Sequence, residues 1–209
     1  MDIAFLIYDG IAPLDIIGPF EVLGRVPDVR SLFVGAKAGP CRTQGGSLAL
    51  IADHAIADVT RPDIIVVPGG PGADDMAANP EVTEWVRAVH ATTKWTTSVC
   101  TGSLILGGAG ILKGLRATTH WRGFDALAGF GALPVRERVV TDGKVITAAG
   151  VSSGIDMALT LAARIAGEET ARAIQLLIEY APEPPFDSGD FASAPAALVE
   201  RANTGLKRP

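Results

Sequence analysis

The chain has 209 residues, enough for one ordinary domain with a sizeable core, and its 48% hydrophobic and 20% charged residues exclude disorder for the bulk of it. Eighteen basic against 23 acidic residues give a net charge of −5, so no broad basic field exists to attract nucleic acid. Two cysteines, Cys41 and Cys100, are too few for a disulfide scaffold and point to a reducing, cytoplasmic setting.

The first ten residues, MDIAFLIYDG, lack the basic start and the apolar length of a signal peptide. The mean hydropathy of +0.30 does not indicate a membrane partner either, because the most apolar stretch, 104–112, is rich in glycine and stopped by Lys113.

Residues 3–8 form a continuous apolar run of strand length ended by Asp9-Gly10, the pattern of a strand covered on both faces. Residues 14–24 carry Leu14, Ile17, Phe20, Val22 and Leu23 at helical spacing, and Pro19 predicts a broken helix. Strands are expected at 30–35 and 47–51, around a Gly/Pro turn region that holds Cys41, with His54 in a loop. The run DIIVV at 63–67 ends in PGGPG at 68–72, a buried strand feeding an open backbone loop. An amphipathic helix from Pro80 places His90 on its solvated side, a strand follows at 95–99, and a helix at 101–109 begins directly after Cys100. Strands at 138–141 and 144–148, joined by Asp142-Gly143, precede helices at 152–166 and 168–180. This alternation predicts an α/β fold with a mainly parallel sheet and helices on both sides. Residues 1–181 read as one domain; 182–209 read as a Pro/Ala-rich tail packed on it or on a partner subunit.

Ligands of such sheets gather at the carboxyl ends of the strands. Cys100 stands there between a strand and a helix, with Ser98 and Gly102 as small neighbours, the setting of a nucleophile elbow. A helix N-terminus at that point would favour the thiolate; the other reading is a small buried strand-end residue. Cys41 has no activating context. Asp15, in the apolar stretch PLDIIG, is either a helix cap or part of a site, where next to a thiolate its pKa would rise. The 68–72 loop lacks the Lys-Ser/Thr ending of a phosphate loop but offers amides for half of an oxyanion hole. No histidine has metal-ligand spacing; His120, in TTHW at 118–121, is a packed structural residue or a member of the site.

These segments, with YDG at 8–10, LDIIGPFEV at 14–22, VPGG at 67–70, CTG at 100–102, ATTHW at 117–121 and GVSSGID at 150–156, resemble the ThiJ/PfpI superfamily. That resemblance implies a flavodoxin-like three-layer α/β/α sandwich and a homodimer. Within the superfamily the pattern looks most like the isonitrile hydratases and the ligand-like domains of AraC-type regulators, and the EPPF run at 183–186 is similar to the former. It implies Cys100 as nucleophile, Asp15 as its acidic partner and Thr101 as a neighbouring hydroxyl and amide, with Gly70 and Gly69 supplying anion-binding amides. His120 and Trp121 fall in the substrate region, and neither metal nor cofactor is implied. The reaction so implied adds water to a small-molecule isonitrile through a covalent thioimidate on Cys100, giving a formamide. A glyoxalase-type enzyme and a non-catalytic ligand or redox sensor are the alternatives. Proteases and glyoxalases of the superfamily often carry His directly after the nucleophile, where Thr101 stands here. Regulators carry a DNA-binding module after this domain, and only the short tail follows it here.

Overall fold

Strands that are apolar on both sides must be covered on both sides, and this requirement organises the molecule. The computed structural model describes residues 1–204. β1 (Asp2–Leu6) leads into α1 (Leu14–Leu23), β2 (Arg30–Gly35), β3 (Gly39–Arg42), β4 (Ala49–Ala52) and β5 (His54–Ala55). β6 (Ile64–Val67), α2 (Ala73–Ala78), α3 (Pro80–His90), β7 (Trp95–Val99) and α4 (Gly102–Gly108) come next. The chain continues through β8 (Arg116–Ala117), α5 (Phe124–Gly129), β9 (Leu133–Pro134), β10 (Val139–Asp142), β11 (Val145–Ala148), α6 (Ser153–Ala166), α7 (Glu168–Leu177) and α8 (Ala196–Thr204).

Seven strands form one sheet in the order β10-β11-β7-β6-β1-β2-β5, parallel throughout except for the β10–β11 pair. Helices α1, α6 and α7 pack together in one group and α2, α3 and α4 in another, completing an α/β/α sandwich. All four residues of β6 are fully buried, and Phe5 of β1 stacks with Phe33 of β2 and meets Phe20 of α1 edge-on. The chain runs outward from β1 to β2 and β5, then returns to β6 and proceeds the other way to β7 and β11. The reversal between β1 and β6 opens a crevice at their carboxyl ends, the usual place for a ligand in an open parallel sheet.

The structure departs from the sequence-based expectations at several points. Helix α1 is continuous: Pro19 lies inside it and, having no N–H, removes only the bond that would reach the Asp15 carbonyl. The 39–52 region is a two-stranded antiparallel hairpin outside the main sheet, with Cys41 paired to Leu50. The alternating burial along β3 marks a strand covered on one side. His54 belongs to the edge strand β5. His90 is half-buried, not solvated: its Nδ1 lies 2.8 Å from Thr96 Oγ1, and burial followed by the Lys144 charge lowers its pKa. The tail contains α8, and its last five residues, 205–209, lie outside the described residues. Among the described residues no helix is long and apolar enough to cross a membrane.

The start of α4 lies against the end of β6 with no room for a side chain between them. A Cβ on Gly102 would lie 2.1 Å from the Val67 carbonyl oxygen and 2.7 Å from Pro68 C. Gly102→Ala must push the start of α4 off the end of β6, and overpacking of this kind costs about 1–3 kcal/mol. Urea denaturation is expected to read a loss in that range, and an unchanged midpoint would refute the contact.

Candidate active site

Cys100 follows β7 with φ 58°, one of three non-glycine residues in the left-handed region among the described residues. A side chain there costs on the order of 1–3 kcal/mol, so the surroundings must hold it. They do so from both sides of the peptide. The Cys100 N–H donates to the carbonyls of Ala148 (3.1 Å) and Ala149 (2.8 Å), while its own carbonyl accepts from Thr119 Oγ1 (3.1 Å) and Ser103 Oγ (3.3 Å). The turn thrusts the thiol toward the crevice, yet Cys100 is only 5% exposed.

Asp15 is fully buried on the first turn of α1, and it does not cap the helix. Its Oδ2 instead accepts the Gly69 N–H at 2.9 Å, tying the start of α1 to the loop after β6. Its Oδ1 is buried without a well-aligned partner, although the carboxyl lies within interaction range of the Cys100 thiol. Burial dominates and raises the Asp15 pKa to about 7; the Gly69 amide and the Cys100 thiol oppose the rise. The thiol is pushed up to about 12, first by burial and then by the Asp15 charge, against backbone N–H groups of Thr101 and Val151 and the Thr101 hydroxyl. The expected helix effect on the thiol is therefore overruled by burial. Both shifts favour the protonated form of each group, the thiol more strongly than the carboxyl.

The glycine loop serves this pair indirectly. A Cβ on Gly69 would lie 2.5 Å from Thr101 N, so only glycine lets the loop press against the elbow. The Gly70 N–H donates to Thr101 Oγ1 at 3.0 Å, and the Gly69 N–H is taken by Asp15, so both amides are engaged within the protein. The amides that interact with the sulfur are those of Thr101 and Val151. Val151 had no assigned role in the sequence, although the GVSSGID run containing it was part of the family pattern. Tyr8 was missed too: buried, it donates to the Pro68 carbonyl at 2.7 Å and feels the charges of Asp15 and Cys100.

A cavity of about 580 Å³ opens beside the elbow, lined among others by Thr119, His120, Trp121, Gly150, Val151 and Phe191. Cys100 and Asp15 are not in its wall; Thr119 and Val151, which contact Cys100, are. His120 accepts the Arg122 N–H at Nδ1 (3.3 Å), and its ring lies 5.4 Å from that of Trp121. Trp121 stacks on Phe191 from the tail at 5.0 Å, a contact without any local sequence signal. Cys41 is remote in chemistry as well: burial, then Asp9, raises its thiol pKa. Among the described residues no group of three or more His, Cys, Asp or Glu is placed to hold a metal ion.

The burial of Asp15 has a signed effect on stability. Between its ordinary pKa of 3.8 and about 7, the folded carboxyl keeps a proton that the unfolded chain releases, so stability falls as pH rises through that window. The penalty is complete above pH 7. Asp15→Asn retains an acceptor for the Gly69 amide and removes the charge, so chemical denaturation should give a gain on the order of 4 kcal/mol at pH 8 that shrinks toward pH 4. A loss of stability at pH 8 would contradict the placement of the carboxyl.

The DJ-1/PfpI family model matches residues 1–164. The chain is 44% identical over 202 residues to the isonitrile hydratase of Pseudomonas putida, covering 97% of this chain and 88% of that protein. A ThiJ/PfpI family protein from Pseudomonas syringae, a crystal structure, superimposes with a TM-score of 0.93 at 37% identity, over 96% of this chain and 84% of that one. The transcriptional regulator CdhR of Pseudomonas aeruginosa is 29% identical over 178 residues, 81% of this chain but 52% of the regulator. With its elbow cysteine, glycine loop and seven-stranded sheet, the chain belongs to the DJ-1/PfpI family.

Proposed function

We propose that this protein hydrates an isonitrile, R–N≡C, to the N-substituted formamide, R–NH–CHO, with Cys100 as nucleophile and Asp15 as the proton carrier. The observation that carries the reading is the buried carboxyl of Asp15, on α1, beside the buried thiol of Cys100, in the turn after β7. The similarity to an isonitrile hydratase along 97% of the chain supports the substrate class.

The chemistry suits a protonated thiol with a carboxylate near pKa 7. Sulfur attacks the terminal carbon as its proton passes to Asp15, and Asp15 delivers that proton to the same carbon. One C–S and one C–H bond form, giving the thioimidate R–N=CH–S–Cys100. Asp15 then takes a proton from water as its oxygen adds to the carbon, and the imine nitrogen receives that proton. Collapse of R–NH–CH(OH)–S–Cys100 breaks the C–S bond, returns the hydroxyl proton to sulfur through Asp15 and releases the formamide. Isonitrile plus water equals formamide, so no cofactor enters the balance. The Thr101 and Val151 amides steady charge on sulfur as it forms and leaves, while Gly70 acts through the Thr101 hydroxyl. Burial and the raised thiol pKa argue against a peroxide sensor, which needs an accessible thiolate.

Formamide production from a simple isonitrile is expected to fall at least about a thousandfold in Cys100→Ala and Asp15→Asn, the scale of removing a nucleophile or its proton carrier. Full activity in either variant would overturn the mechanism. Because the carboxyl must be ionised while the thiol holds its proton, kcat/KM should rise about tenfold per pH unit up to about pH 7 and stay level to pH 10. A profile that falls between pH 7 and 9 would contradict it. In acid-quenched intact-mass spectra the covalent intermediate adds the full mass of the isonitrile, with nothing lost.

A further inference from the structure

The cavity says more about the substrate than the reacting group does. At about 580 Å³ it falls within the range of sites that hold drug-sized ligands, far more room than a short alkyl isonitrile needs. One wall is a strip of rings. Phe191 stacks on Trp121 with an interplanar angle of 10°, and Trp121 neighbours His120, whose Cδ2 would lie 3.3 Å from a Cβ on Gly150. Gly150 precedes Val151, whose amide interacts with the Cys100 sulfur. The strip therefore runs from the tail to the residue beside the nucleophile's own contacts.

The charges in the wall are not equivalent. Glu137 pairs with Arg116 at 2.9 Å, Arg138 pairs with Asp156, and Asp190 Oδ1 accepts the Ala192 N–H at 2.9 Å. Arg136 differs from all three. Its guanidinium carbon sits 4.6 Å from the Phe124 ring centre and 5.3 Å from that of Phe191, and among the described residues it has no ion pair and no hydrogen-bond acceptor. Stacking uses the face of a guanidinium and leaves its in-plane N–H fork available, a geometry matched to a carboxylate. Two rings thus hold a cationic fork at one end of an aromatic strip whose other end approaches the nucleophile.

Resting on the hydratase reading, we propose that the preferred substrates are isonitriles carrying an extended aryl group that ends in a carboxylate. The aryl group lies along His120, Trp121 and Phe191, and Arg136 takes the acid. A charge-assisted bidentate pair is worth on the order of tenfold or more in kcat/KM.

The probes are 4′-isocyanobiphenyl-4-carboxylate, its neutral parent 4-isocyanobiphenyl, and butyl isonitrile. Wild-type protein is expected to process the acid at least about tenfold more efficiently than the neutral biaryl, and the biaryl more efficiently than the butyl compound. Arg136→Met, at an exposed position where folding is secure, should bring the acid-to-neutral ratio to within about twofold, and Phe191→Ala should lower both biaryls relative to butyl isonitrile. No acid preference in wild type, or a preference that survives Arg136→Met, overturns the proposal. Calorimetry with the matching biphenyl formamide acid separates this from the hydratase reading. If no isonitrile is turned over but that acid binds wild type at least tenfold tighter than Arg136→Met, the recognition proposal stands and the hydratase reading falls. Equal binding to the two proteins overturns the recognition proposal.

Discussion

A carboxyl group with no exposed surface, Asp15, sits against a cysteine thiol, and one hydrogen bond from the Gly69 amide holds it there. Placing an ionisable acid in such a position costs stability, and the surrounding fold is arranged to keep it in place. Asp15 comes from the helix after β1, Gly69 from the loop after β6 and Cys100 from the turn after β7, so the pair exists only when three parallel strands are in register. The glycine contacts express the same constraint. Gly69 presses on Thr101 and Gly102 on the end of β6, at distances no side chain would permit.

This arrangement changes how the thiol works. An exposed cysteine at a helix start gains reactivity from a lowered pKa, but Cys100 is buried beside a carboxyl and its pKa is raised. Its reactivity in the proposed hydration derives from the proton it shares with Asp15 and from two amides that meet charge only as it develops on sulfur. Burial and the raised pKa leave little thiolate on Cys100 at neutral pH, and the cavity of about 580 Å³ adjoins it through Thr119 and Val151.

Much of this was legible in the sequence, and the limits have physical causes. The apolar run at 64–67 announces a buried strand because four consecutive β-branched residues, stopped by a Gly/Pro loop, suit a strand covered on both faces. Cys100 was legible because a tight turn demands small neighbours at 98 and 102, and Asp15 because an acid amid apolar residues must have a reason. Pro19 misled, since a proline inside a helix need remove only one bond when the surrounding packing holds the helix together. The use of the Gly69 and Gly70 amides, the approach of Val151 to the sulfur and the docking of Phe191 on Trp121 join residues 30 to 70 positions apart; local pattern carries no such information. Burial likewise reversed the expected shift of the thiol, because desolvation depends on what the fold places around an atom.

The central claim is that Asp15 and Cys100 share one proton, held on sulfur in the resting site. A titration that follows the Asp15 carboxyl by ¹³C NMR and the thiolate by its ultraviolet absorbance in the same sample addresses it most directly. The account predicts a carboxyl midpoint near pH 7, moved in Cys100→Ala, with no thiolate absorbance from Cys100 below pH 9. A carboxyl midpoint near 4 together with a thiolate already formed at neutral pH would contradict it.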